Sequence, residues 1–190
     1  MINKGKCIIF SAPSGSGKTT LVKSLLKNSE LNLCFSISAT TREKREGEKE
    51  GLDYLYISKA TFEKLIDSGD LFEYEEVYKG IYYGTLKKES EKLLSTHNVI
   101  FDVDVEGGIK LKNLFKENAL SVFVKPPSID ELAVRLKIRA KDTDHSIKLR
   151  LEKAKHELKK EKNFDITLVN DDLNIAMETS YQIVNQFLNN

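Results

Sequence analysis

Short apolar runs separated by turn residues dominate the hydrophobic pattern of this chain. Lys6–Ser11, K-C-I-I-F-S, predicts a buried strand, and Thr20-Leu21-Val22-Lys23-Ser24-Leu25-Leu26 predicts a helix after a glycine-rich interval. Further buried strands are predicted at Val99–Val103, at Leu120–Val124, closed by Pro126-Pro127, and at Asp165–Val169. Helical periodicity follows them at Ile109–Phe115, Leu132–Ile138 and Ile175–Leu188. Short apolar strands alternating with helices mean a parallel sheet covered on both faces, an α/β fold. The stretch from about Ser36 to Leu86 breaks the rhythm. Tyr54-Leu55-Tyr56-Ile57 and Tyr82-Tyr83 read as strand pieces, with a helix at Thr61–Ser68 between them. A polar interval, Ala140 to His145, separates two helices later on. The pattern predicts one domain over residues 1–190, with a core of 1–35 and 97–190, a mixed α/β insertion of about 36–86, and a short lid of about 139–146.

Composition narrows the classes. A chain of 190 residues suits one domain, at about 150 residues each, and can bury a core without staples. Hydrophobic content of 40% with 31% charged residues is globular rather than disordered. Thirty basic and 29 acidic residues give a net charge of +1, which argues against a generic nucleic-acid or membrane-surface binder. No run approaches the ~20 apolar residues that span a bilayer. The run Cys7–Phe10 is too short for a signal-peptide core, so a cytoplasmic location is expected. Two cysteines, Cys7 and Cys34, make no disulfide framework and read as buried thiols in apolar strands. His97, His145 and His156 have no cysteine at zinc-ligand spacing, so no structural zinc is expected.

Chemistry concentrates first at Ala12-Pro13-Ser14-Gly15-Ser16-Gly17-Lys18-Thr19-Thr20, between a predicted strand and a predicted helix. G-x-x-x-x-G-K-[ST] is met except that Ala12 stands at the first position. Small residues let successive backbone N–H groups point at one phosphate, and the helix N-terminus adds its dipole. Lys18 would place a charge on the β- and γ-phosphates, and the Thr19 hydroxyl could hold Mg²⁺. Asp102, near the end of a buried strand, could orient the metal's hydration shell beside Thr19, and Asp104 shares its face.

Other motifs follow in order. They are Ser36-Ile37-Ser38-Ala39-Thr40-Thr41-Arg42-Glu43-Lys44-Arg45-Glu46-Gly47-Glu48, Asp53-Tyr54, Phe72-Glu73-Tyr74, Tyr82-Tyr83-Gly84-Thr85, Asp102-Val103-Asp104 and Val169-Asn170-Asp171-Asp172. With the phosphate loop they resemble the guanylate kinase family over nearly the whole chain. The resemblance implies a P-loop NTPase-type sheet and transfer of the γ-phosphoryl group of ATP to GMP. It implies ATP and Mg²⁺ at the loop, with Asn170 near the adenine end. It implies Arg42, Arg45, Tyr54 and Tyr83 around the GMP phosphate, and Ser38, Glu73, Thr85 and Asp104 around guanine. Two guanidinium forks suit a phosphate dianion. A carboxylate at Glu73 can accept from guanine N1–H and N2–H₂ together, an edge adenine lacks. Arg135, Arg139 and Arg150, on helices flanking the lid, match arginines that close over the phosphates, and Arg135 and Arg139 share one helical face. Lys44 stands where the family often has proline and Ala140 where it often has glycine, while the loop at Val77–Ile81 reads as one residue longer.

The acceptor oxygen of a phosphate is already anionic at neutral pH, so this chemistry needs no general base. Two other functions stay open on residues alone: a non-catalytic guanylate-kinase-like module binding phosphopeptides, and a related kinase of another phosphorylated nucleotide or sugar. An intact Lys18–Thr19 pair opposes the first, and Glu73 with Ser38 opposes the second. Acceptance of dGMP, and the choice between monomer and homo-oligomer, are open at this level.

Overall fold

The computed structural model describes residues 5–138 and 144–190. Arg139 and most of the expected lid therefore lie outside the described residues. In chain order the elements are β1 (Cys7–Ser11), α1 (Lys18–Leu26), β2 (Leu33–Phe35), β3 (Ser38–Thr40), β4 (Leu55–Tyr56), α2 (Lys59–Asp67), β5 (Leu71–Tyr78), β6 (Ile81–Leu86), α3 (Lys87–Leu94), β7 (Asn98–Val103), α4 (Val105–Phe115), β8 (Ala119–Lys125), α5 (Ile129–Ile138), α6 (Asp144–Leu158), β9 (Ile166–Val169) and α7 (Leu173–Asn189).

The central sheet is parallel throughout, in the order β2-β7-β1-β8-β9. Alternation along β1 feeds two cores. Ile8 and Phe10 pack with Val22, Leu25, Ile100, Val122 and Val184 on the side of α1 and α7. Cys7 and Ile9 pack with Leu94, Val99, Phe101 and Leu111 on the side of α3 and α4. The expected two-sided burial holds at the centre of the sheet and fails at its edge. The sequence predicts β9 as a buried strand, but Thr167 and Val169 are exposed, because α7 covers only the Ile166–Leu168 face. Cys7 is buried and Cys34 half-buried, and both are free thiols.

A second sheet, in the order β4-β3-β6-β5, draws all its strands from residues 38–86 and mixes parallel with antiparallel pairing. Its apolar face carries Ala39, Leu71 and Leu86 against Phe62 of α2. The pleat then puts Ser38, Thr40, Tyr83 and Thr85 on the opposite face. A bulge lies in β5 between Leu71 and Glu73: Leu71 pairs with Leu86, but Glu73 pairs with Thr85. Two residues on β5 thus oppose one on β6, and the phase of β5 inverts. Leu71 faces α2, whereas Glu73 and Glu75 face the polar side with Thr85 and Tyr83.

Candidate active site

The first half of the site is the turn from β1 into α1. Gly15 and Gly17 have φ of 96° and 90°, which a side chain rarely adopts. Gly17 caps α1 without a side-chain bond, so the first turn keeps its donors aimed into the loop. A Cβ on Gly17 would fall 2.2 Å from Asn170 Nδ2, and one on Gly15 would fall 3.0 Å from Leu132 and Leu136. The loop is therefore held close against α5 and the end of β9. Asn170 is buried, its Nδ2 donates to Ser16 O at 2.8 Å, and its carbonyl accepts from Arg135 Nη1 at 3.0 Å. Asn170, expected near the adenine end, braces the loop's backbone through its bond to Ser16. Arg135 also pairs with Glu131 at 2.9 Å. Arg150 Nη1 lies 3.3 Å from Ser14 Oγ, which brings α6 onto the loop. Ser16 Oγ is buried and without a hydrogen-bond partner, an orphan that a phosphate oxygen would satisfy.

Lys18 and Thr19, the first two residues of α1, both reach Asp102 on the neighbouring β7. Lys18 Nζ pairs with Asp102 Oδ1, and Thr19 Oγ1 donates to Asp102 Oδ2 at 2.8 Å. A hydroxyl and a carboxylate are hard oxygen donors. Mg²⁺ is usually held by one or two such groups plus substrate phosphates and water, and this pair fits that habit. Among the described residues no group of three or more His, Cys, Asp or Glu could hold a metal.

The second half lies on the polar face of the mixed sheet. Ser38 opposes Thr85 across β3 and β6, and Thr85 opposes Glu73 across β6 and β5. Thr85 Oγ1 donates to Glu73 Oε1 at 2.6 Å. Glu73 is 5% exposed, and burial pushes its pKa up to about 7 against the opposing pull of the Thr85 bond. Its other oxygen lies over the first turn of α4, where a Cβ on Gly107 would meet it at 2.6 Å. Asp104 caps that helix, with Oδ1 accepting from Gly107 N at 2.9 Å. Strand β6 and the start of α4 therefore converge on Glu73 of β5.

Toward the far end of the same face, Arg42 leaves β3 and stacks on Tyr54 and Tyr56, 4.9 and 5.5 Å from the ring centroids. Its Nε donates to Tyr83 OH at 2.9 Å. Its two terminal nitrogens grip Glu48 in a fork of 2.6 and 2.7 Å. Glu48 Oε2 also accepts from Arg45 N at 2.8 Å and Tyr56 OH at 2.7 Å. The Arg42 bond, chiefly, draws the Glu48 pKa down to about 2. Burial would lower the Arg42 pKa, but its partners Glu48 and Tyr83 raise it overall. Burial raises Tyr54, and burial with the Glu48 contact pushes Tyr56 up to about 12. A carboxylate thus sits in a cradle of guanidinium, amide and phenol donors, the set a phosphate dianion needs. The Arg45 side chain is exposed, and its backbone N–H joins the cradle.

Sequence reasoning singled out most of these groups and passed over Glu48, Tyr56 and Gly107. Glu48 was legible as the acid three residues past Arg45, and Gly107 as a glycine three residues past Asp104. Tyr56 depends on the pairing of β4 with β3, which sets it beside Thr40.

A family model described as guanylate kinase matches residues 4–189. A guanylate kinase of Bacteroides thetaiotaomicron is 48% identical over 186 residues, covering 97% of this chain and 91% of that protein. One of Porphyromonas gingivalis is 46% identical over 184 residues, covering 96% and 98%. Among solved structures, the guanylate kinase of Anaplasma phagocytophilum superposes with a TM-score of 0.77 at 28% identity, over 97% of this chain and 86% of that one. A shikimate kinase of Bacteroides thetaiotaomicron, at 17% identity and a TM-score of 0.50, shares the fold alone.

Proposed function

The chain belongs to the guanylate kinase family and transfers the γ-phosphoryl group of ATP to GMP, and we propose that it does so with the residues assembled above. In this reading residues 1–35 and 97–190 form the ATP-binding core, 36–86 the acceptor-binding insertion, and about 139–146 the lid. ATP phosphates lie in the loop from Ala12 to Thr20, with Lys18 on the transferring group and the Ser16 hydroxyl satisfied by a phosphate oxygen. Thr19 and Asp102 would hold Mg²⁺, which when bound would neutralise negative charge on the ATP phosphates. Lys18 then exchanges Asp102 for phosphate.

Glu73 accepts from guanine N1–H and N2–H₂, with Ser38, Thr85 and Asp104 on the other edge groups. Arg42, Arg45, Tyr54 and Tyr83 take the acceptor phosphate, and Glu48 gives way to it. Arg135 and Arg150 face the transferring group from the lid side, and Arg139, expected to act with them, lies outside the described residues. The attacking phosphate oxygen is already ionised, so positioning and charge stabilisation carry the reaction. The closing elements exclude water, which would otherwise accept the phosphoryl group.

The observation that supports this reading best is the pairing of two anion sites, Lys18–Thr19–Asp102 on the core and Arg42–Tyr83–Glu48 on the mixed sheet. Lys18→Ala tests it. Turnover of ATP with GMP should fall by about 100-fold or more, the scale of losing one preorganised charge contact, with the thermal transition still cooperative. Near-parental turnover in a folded variant would remove Lys18 from the transferring group. A coupled assay against GMP, dGMP, AMP, CMP and UMP separates guanine reading from general phosphate binding.

A further inference from the structure

Helix α6 touches both halves of the site with one stripe. Ile147, Leu151 and Ala154 turn inward onto Leu132 and Leu136 of α5, which lie against Gly15 of the phosphate loop. Arg150, Lys153 and Glu157 fall beside one another on an adjoining face, at spacings of three and four. Arg150 reaches Ser14 of the loop. One turn further on, Lys153 Nζ lies 3.5 Å from Glu75 Oε1 on β5 and 5.9 Å from the centroid of Tyr78. Glu157 stands 3.7 Å from the same ammonium.

Glu75 is two residues beyond Glu73 and on the same face of β5. Its Oε2 is buried without a hydrogen-bond partner, and it faces Asp104 as well. Burial raises the Glu75 pKa, and burial pushes Glu157 up to about 7. Lys153 is thus the cation set among half-buried acids, at a place where a carboxylate without a partner is costly.

We propose that Lys153 is a positioning residue that couples the guanine-reading strand to the lid helix, so that seating GMP on β5 draws Arg150 toward the ATP phosphates. This rests on reading Glu73 as the guanine contact and Arg150 as a phosphate contact. The physical step is short. A helix is a stiff rod with 1.5 Å of rise per residue, so Lys153 and Arg150 move together. A strand likewise carries Glu73 and Glu75 as one piece. An ion pair between the two elements makes the position of one a function of the other, which is a coupling free energy between two ligands. The pair is intramolecular and partly shielded from water, so salt screens it less than a surface pair.

The test is isothermal titration of the full chain with a non-hydrolysable ATP analogue, with and without saturating GMP. The parent should bind the analogue about fivefold or more tightly when GMP is present, within the ordinary range of such couplings. Lys153→Met and Glu75→Gln should each bring that factor toward one and leave the affinity for the analogue alone unchanged. The double variant should be no worse than either single variant, and Lys153→Arg should restore the coupling. A parent-like factor in Lys153→Met or Glu75→Gln overturns the inference, as does a parent with no coupling at all. Should one single variant fail to fold, the other decides. Glu73→Gln separates this from the site reading. If it abolishes GMP binding while the Lys153 variants keep full coupling, the coupling inference alone is wrong. If it binds GMP normally, the site reading itself is wrong.

Discussion

At the scale of single residues, burial and partner decide what each charge can do. Glu48 and Glu73 are both glutamates on the same insertion, yet the first is drawn down to about 2 and the second pushed up to about 7. Glu48 faces a guanidinium fork, whereas Glu73 is walled in by Thr85, Gly107 and Asp104, with no cation among the described residues in hydrogen-bond contact. In the sequence both are simply acids within motifs, but desolvation is a property of the fold. The sign of the pH effect follows. Glu73 and Glu157 hold their protons in the folded protein above the pH at which the unfolded chain releases them. Each therefore stabilises the ligand-free protein below about pH 4.5, and that contribution is lost as pH rises through about 7. The full shift is worth about 3 kcal/mol per buried group as an upper estimate. Scanning calorimetry of ligand-free protein between pH 5 and 8 should show Tm falling as pH rises, with a shallower slope in Glu73→Gln. The same variant should raise KM for GMP far more than KM for ATP, because it turns one guanine acceptor into a donor. An unchanged slope, or a loss confined to ATP, would count against Glu73 as the buried guanine reader.

At the scale of elements, periodicity found most helices and strands but not every phase. The predicted core strands and later helices agree with the structure to within a few residues. The helix α3 went unpredicted, because its apolar residues cluster at its last turn after a Lys- and Glu-rich start. Strand β5 shows in the sequence only as the motif Phe72-Glu73-Tyr74, since strict alternation would set Leu71 and Glu73 on one face and mix core with site. Its bulge resolves that conflict, and pairing with β6 makes the bulge. Gly107 shows a similar dependence. In the first turn of α4 it is an unfavourable helix residue, and only the approach of Glu73 explains it. Gly107→Ala should leave Tm unchanged or higher, since alanine favours the helix by about 1 kcal/mol. It should also push the Glu73 carboxylate aside and raise KM for GMP by about tenfold, equivalent to about 1.4 kcal/mol. Thermal melts and steady-state kinetics on one preparation decide it, and a variant that is destabilised with normal KM would make Gly107 a packing residue only.

At the scale of the whole molecule, the two anion sites stand on different sheets, and the donors of each are engaged within their own half: Lys18 and Thr19 with Asp102, Arg42 with Glu48. Nucleotides that bridge the halves should favour a more closed arrangement. A chain of this length has a compact radius of gyration of about 16 Å. Small-angle scattering should give a smaller radius with GMP plus a non-hydrolysable ATP analogue than without ligand. Identical radii would mean that both sites are already in place. The sequence by itself determined the α/β class and the phosphate loop, which local spacing and residue chemistry carry without coordinates, while its resemblance to a family supplied the acceptor-site residues proposed above. Only the tertiary structure decided that Asn170 braces the loop, that Glu48 occupies the Arg42 fork, that Glu73 and Leu71 face opposite ways, and that Lys153 meets Glu75. The Glu48 fork is set by how the loop after β3 closes on itself, and each of the others is a contact between residues distant in the chain or a reversal of strand phase. Such contacts depend on strand register and helix docking, which neighbouring residues do not encode.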